Sequence, residues 1–228
     1  MVNKKKIILF IVEGINDKTS LALCMDQLLD SNTVQFEITN GDITTQYGNN
    51  SNNIAAKIGN VVKEFSGKIF KQKDFLEVVH LVDMDGAYIP DENVVEGTND
   101  KNLYDNEKII TSKVQSTTNR NHQKQEILDR MIGINKVWGS IPYSIYYFSC
   151  NMDHVLHKEA NLDMSDKDKL ATKFETKFFG KIEEFVGFFN KEEFSVQGTY
   201  GETWKFIKEG TNSLKRYSNF AVYLNEIN

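Results

Sequence analysis

The chain has 228 residues, with 27 Lys and Arg against 32 Asp and Glu and a net charge of −5. That balance excludes a general electrostatic attraction to nucleic acid, so such a partner needs a local basic patch or phosphates bridged by a bound cation. A hydrophobic content of 40% is ample for a core, and the only two cysteines, Cys24 and Cys150, rule out a disulfide scaffold and read as buried thiols of a reducing cytosol.

In chain order, Ile7 to Val12 is an apolar run that reads as a buried strand. It is too short to cross a membrane, and it ends at Glu13-Gly14. Asn16 or Asp17 then caps a helix whose apolar face is Leu21, Cys24, Met25, Leu28 and Leu29. Val34 to Thr39 reads as a second strand. Gly48 to Asn53 is loop-like, with Ser51 as a candidate cap, and Ile54, Ile58, Val61, Val62, Phe65 and Ile69 form the stripe of a second helix. A third strand runs from about Leu76 to Val82 and ends at Asp83. This β-α-β-α-β order is the signature of a parallel sheet with right-handed crossovers.

From Gly86 to Thr118 apolar periodicity is scarce, and residues 87–118 read as an active-site loop or insertion. Asn121 to Met131 reads as a helix and Ser144 to Ser149 as a fourth strand. Everything beyond Asn151 reads as helical: an amphipathic stretch through Leu170, Phe174, Phe178, Ile182 and Phe185 with Gly180 as a break, then helices near Thr203–Ile207 and Ser213–Asn225. The expected division is a catalytic domain over residues 1–150 and a helical extension over residues 151–228.

The carboxylates carry the chemistry. In a parallel sheet the carboxyl ends of the strands form the ligand crevice, so Glu13, Asp83 and Asp85 are expected to converge there. Clustered carboxylates repel one another unless a cation neutralises them. Oxygen-only ligands select a hard ion, magnesium or manganese, and magnesium favours phosphate oxygens as further ligands. On this view, replacing Asp83 and Asp85 by Asn is expected to stabilise the metal-free protein.

Val12-Glu13-Gly14-Ile15-Asn16-Asp17-Lys18 and Asp83-Met84-Asp85-Gly86 resemble the two hallmark motifs of the TOPRIM domain of topoisomerases, bacterial primases, OLD-type and RloB-like nucleases and small ribonucleases. The match in order and spacing covers roughly the first 90 residues and extends to the strand near Phe148. The resemblance implies an α/β, Rossmann-like fold: a mainly parallel four-stranded sheet flanked by helices, with a helical C-terminal part. It also implies that Glu13 acts in proton transfer or as a metal ligand and that Asp83 and Asp85 hold Mg2+ or Mn2+. Asp17 is either a further metal ligand or the cap of its helix. Asp153 stands where some of these proteins carry a Glu ligand, one methylene longer. With His154 and His157 it also has the makings of a transition-metal site, although the His spacing is three rather than four.

Lys205, Lys215 and Arg216 near the end of the chain, interleaved with aromatic residues, suit phosphate contact and base stacking. Arg120 and Lys124 form a comparable stripe, and for both sets the alternative is the solvated face of a helix. The expected function is magnesium-dependent cleavage of RNA or DNA phosphodiesters, as a bacterial defence or RNA-processing effector with no membrane partner. A homodimer or a partner protein stays open. The alternatives are a haloacid-dehalogenase-like phosphatase, in which Asp83 is a nucleophile, and a non-catalytic TOPRIM-like binding or regulatory module.

Overall fold

In the computed structural model, which describes residues 5–30 and 32–227, the chain is α/β with a mixed, mostly parallel sheet flanked by helices. The first strands are β1 (Ile7–Val12), β2 (Thr33–Ile38) and β3 (Phe75–Asp83), linked by helices α1 (Ile15–Leu28) and α2 (Ile54–Ser66). β1 pairs in parallel with both β2 and β3. All six of its side chains are buried, which is why it reads as an uninterrupted apolar run rather than an alternating one.

The stretch expected to be a loop contains three short strands, β4 (Val94–Glu96), β5 (Leu103–Tyr104) and β6 (Ile109–Thr111). β4 runs parallel to β6 and β5 antiparallel to it, in a separate small sheet. Strands of two or three residues are too short for an alternating pattern to show. Helix α3 (Val114–Ile132) then begins well before Asn121, and strands β7 (Lys136–Val137) and β8 (Ile141–Ser149) follow it.

Helices α4 (Met152–His157), α5 (Met164–Phe178), α6 (Ile182–Phe189), α7 (Tyr200–Ile207) and α8 (Phe220–Ile227) make up most of the remainder. Gly180 breaks α5 from α6 with a φ of 73°, a left-handed conformation that glycine adopts without steric cost. The end of the chain is not wholly helical: β9 (Tyr217–Ser218) pairs antiparallel with β8. The main sheet therefore has six strands among the described residues, in the order β2-β1-β3-β8-β7 with β9 on β8, rather than the expected four.

Two compact units are built from interleaved segments, Met1–Leu81, Glu126–Ile145 and Ala171–Ile182 in one and Val82–Gln125, Tyr146–Leu170 and Glu183–Asn228 in the other. In the first, Phe65, Phe70 and Trp138 pack against Phe75, and Phe10 stacks on Phe36. In the second, Phe148, Phe189 and Phe220 meet in mutual edge and tilted contacts. There Asn219 ties the backbone of Tyr147 to the Thr203 hydroxyl through bonds of 2.8 and 3.0 Å. Cys24 and Cys150 are buried free thiols.

His80, fully buried in the first unit, shares a 2.9 Å hydrogen bond between Nδ1 and the Tyr143 hydroxyl. Burial pushes its pKa down from 6.5 to about 4, opposed in part by the Asp42 carboxylate. The unfolded chain therefore takes up this proton near pH 6.5 while the native protein resists it. The stability contributed by neutral His80 is complete above pH 6.5 and is lost as pH falls towards 4. The expected loss is about 3 kcal/mol from this group. Urea midpoints at pH 7.5 and 4.5 measure it, and His80→Gln should flatten the difference between them.

Candidate functional site

Two polar clusters form at the ends of the strands that carry the motifs. In the first unit, Glu13 and Gly14 follow β1 directly, and the Asp17 Oδ2 accepts from the Gly14 amide at 2.8 Å. Asp17 thus satisfies an otherwise unpaired amide at the start of α1, where a negative charge also favours the helix dipole. Of the two roles open for Asp17, this geometry displays the cap. Ser51, the other expected cap, instead donates to Glu126 at 2.5 Å.

In the second unit, the chain leaves β3 at Asp83 and turns through Asp85 (φ 50°) and Gly86 (φ 68°). Two successive left-handed residues suit an Asp-Gly pair. Gly86 is also needed for space, since a Cβ there would lie 2.6 Å from Leu214 Cδ2. The turn is held by backbone bonds from Met84 N to Phe148 O, Asp85 N to Cys150 O and Gly86 N to Ser213 O, at 3.0, 2.6 and 3.1 Å. The Asp83 Oδ1 accepts from the Met152 amide at the start of α4, at 2.9 Å.

Asp85 is met by cations from α3. The Lys124 Nζ donates to Asp85 Oδ2 at 2.7 Å, with the lysine side chain 0% and the aspartate side chain 19% exposed. One turn earlier Arg120 donates from Nη2 to the Asp85 carbonyl oxygen at 2.9 Å and from Nη1 to the Tyr104 hydroxyl at 3.1 Å. Asn161 grips the Tyr104 backbone, accepting from its N–H at 2.8 Å and donating to its carbonyl at 2.7 Å. Burial and the Asp85 carboxylate hold the Tyr104 phenol well above its usual range, against the smaller opposing effect of Arg120. Burial, then Asp85 and Asp83, raise the Cys150 thiol in the same way. Tyr104 and Cys150 therefore stay protonated at neutral pH, as a neutral hydroxyl and an unreactive thiol.

Asp153, on the first turn of α4, forms a 2.6 Å ion pair with Lys167. His154 is buried, with its Nδ1 accepting from the Cys150 amide at 3.4 Å. Burial, aided by Arg216, lowers its pKa to about 4. Among the described residues, no three or more His, Cys, Asp or Glu side chains are grouped so as to hold a metal ion. The donor chemistry of Asp83 and Asp85 suits a hard divalent cation, while the charge at Asp85 is already balanced by Lys124.

The basic residues singled out for nucleic-acid contact differ in their surroundings. Lys205 is exposed and Lys215 half-buried. Arg216 points inward: its Nε donates to the carbonyls of His154 and Val155 at 3.1 and 3.0 Å, and its Nη2 to Val155 O at 2.6 Å. It also pairs with Glu193. Both carbonyls lie among the last four of α4, so Arg216 helps to close that helix and complements its dipole. Arg216→Ala should cost about 2 kcal/mol, the worth of the lost charge-assisted bonds, although the His154 carbonyl keeps the Lys158 amide at 2.9 Å. Chemical denaturation measures this, and an unchanged midpoint would show that the cap is dispensable. Lys124 is likewise not a surface group, and Arg120 is committed to the Asp85 turn.

Tyr104, Asn161 and Lys167 were not among the expected site residues. Tyr104 lay in the supposed loop, and no signal in the sequence marks it. Lys124 had a legible signal: Thr117, Asn121, Lys124, Leu128 and Met131 recur at spacings of three and four, and all are buried. A lysine on that stripe requires a buried carboxylate partner.

Compared with protein-family models, with curated proteins and with solved structures, the chain matches none. The class it belongs to is thus stated from its own structure, as an α/β protein with a mixed, mostly parallel sheet. Among the described residues, no helix is long and apolar enough to cross a membrane.

Proposed function

We propose that this chain is a magnesium- or manganese-dependent nuclease of the TOPRIM type, hydrolysing phosphodiesters of RNA or DNA. One observation carries the reading. β1 and β3 are neighbouring parallel strands, the Glu13-Gly14 motif follows the first directly, and Asp83 ends the second with Asp85 in the turn after it. The two motifs thus leave the sheet at carboxyl ends, where ligand sites of parallel α/β sheets are built.

Within this reading Asp83 and Asp85 are the ligands of the divalent ion, and Glu13 is a further ligand or the group that moves a proton. The ion, when bound, supplies charge stabilisation at a phosphate oxygen and a more acidic water. Each residue has a task of its own. The Met152 amide fixes the rotamer of Asp83, and Arg120 fixes the carbonyl that follows the Asp85 side chain. Tyr104, kept neutral, is a hydroxyl held in place by Arg120. Asp17 and Asp153, which serve a helix cap and an ion pair, are not needed as ligands. Lys205 and Lys215 are the candidate contacts to the polynucleotide backbone.

The test is cleavage of supercoiled DNA and of structured RNA after chelator treatment, with magnesium, manganese or neither restored. Cleavage of either substrate that returns only with the metal supports the reading. Equal cleavage in the chelator, or none under any condition, argues against it.

A further inference from the structure

Lys124 poses an electrostatic problem for any ion at Asp85. Its ammonium is fully buried and 2.7 Å from the Asp85 carboxylate. Arg120, one helical turn away, donates to the carbonyl of the same residue. The Asp85 carboxylate is therefore already paired with one cation and its carbonyl with a second, and the Asp153 carboxylate is paired with Lys167. A divalent ion added here raises the local charge by two in a poorly hydrated setting, where like charges interact strongly. The Lys124 side chain lies on the buried stripe of α3 with no exposed surface. Whether the ion takes Oδ2 from the lysine or binds the other carboxylate oxygen, it meets the ammonium at short range. A phosphate group brings the negative charge that would restore balance.

We propose that Lys124 is an internal counter-ion of Asp85 that opposes divalent-ion binding, so that the ion loads tightly only together with a phosphate-bearing ligand. This rests on the reading of Asp83 and Asp85 as ion ligands. It makes Lys124 a positioning residue, one that couples metal affinity to the presence of substrate. In the absence of phosphate the site is closed by its own lysine, and free metal alone does not arm it.

The experiment counts bound manganese by electron paramagnetic resonance, in wild type and Lys124→Gln, with and without thymidine 3′,5′-bisphosphate, which offers phosphate but no internucleotide diester. Wild type should bind manganese weakly alone and about tenfold or more tightly with the nucleotide. Lys124→Gln, which keeps hydrogen-bonding capacity but loses the charge, should bind about tenfold more tightly without nucleotide and gain little from it. Manganese binding that is equal in the two proteins and unaffected by nucleotide overturns the role of Lys124 while leaving the ligand assignment intact. No manganese binding by either protein under any condition overturns the ligand assignment, and this inference with it. Should Lys124→Gln fail to fold by circular dichroism, the wild-type coupling decides alone, and its absence refutes the proposal.

Discussion

Asp85→Asn should destabilise the protein by about 3–5 kcal/mol, the cost of removing one partner of a buried ion pair and leaving the other uncompensated. The sign is opposite to that expected from three mutually repelling carboxylates. The difference lies in one residue, since the fully buried Lys124 ammonium has Asp85 at 2.7 Å. Replacing the carboxylate by a neutral amide leaves that ammonium without its counter-charge. The double change Asp85→Asn with Lys124→Met should recover most of the loss, because a buried pair replaced as a unit is often close to neutral. Asp83→Asn should cost much less, because an Asn oxygen can still accept from the Met152 amide. Urea unfolding of the four proteins in a metal-free buffer reads all of this. If Asp85→Asn were as stable as wild type, Lys124 would not be what neutralises the cluster.

Glu13→Gln is expected to lower phosphodiester cleavage on the order of a hundredfold or more, the usual consequence of losing a general acid or base. The substitution keeps the size and hydrogen-bonding shape of the side chain. Glu13 follows a strand with all of its side chains buried, so the backbone that presents it is well anchored and the fold should be unaffected. Initial rates on one substrate at saturating manganese measure the effect. In a dehalogenase-like phosphatase Glu13 would have no assigned part and Asp83 would carry a phosphoryl group. Full activity in Glu13→Gln, or a phosphorylated Asp83 trapped by rapid quench, would assign the protein to that chemistry instead.

The parallel sheet was legible because its strands are buried on both faces and so read as continuous apolar runs. Ile7 to Val12 is the clearest case, flanked by β2 and β3. The turn at Asp83-Met84-Asp85-Gly86 was legible for a different reason, since its left-handed residues favour Asp and Gly. The small sheet in residues 87–118 was not, because its strands are two or three residues long and are fixed by tertiary packing. Val94, Ile109, Cys150 and Leu214 share one buried cluster with Ile89, and these residues are far apart in sequence. β9 was hidden similarly: Tyr217 and Ser218 gain their strand conformation from pairing with β8.

Charge was the harder quantity to read. In the sequence Arg120, Lys124 and Arg216 read as contacts to nucleic acid or as solvated helix faces. Each is instead tied to a specific acceptor: the Asp85 carbonyl, the Asp85 carboxylate and the carboxyl end of α4, respectively. The stripe of buried residues on α3 holds the clue for Lys124. Arg216 offers no such clue, because the carbonyls it caps lie 62 and 61 positions away in the chain.

The most direct test of the central claim is a side-by-side cleavage assay of wild type and Asp83→Asn on RNA and on DNA, with manganese and with chelator. Asp83→Asn retains the acceptor for the Met152 amide and removes only the charge a divalent ion needs. The account predicts metal-dependent cleavage of at least one substrate by wild type and its loss in the variant, with the same circular dichroism spectrum for both. Wild-type rates in Asp83→Asn, or cleavage that persists undiminished in the chelator, would contradict it.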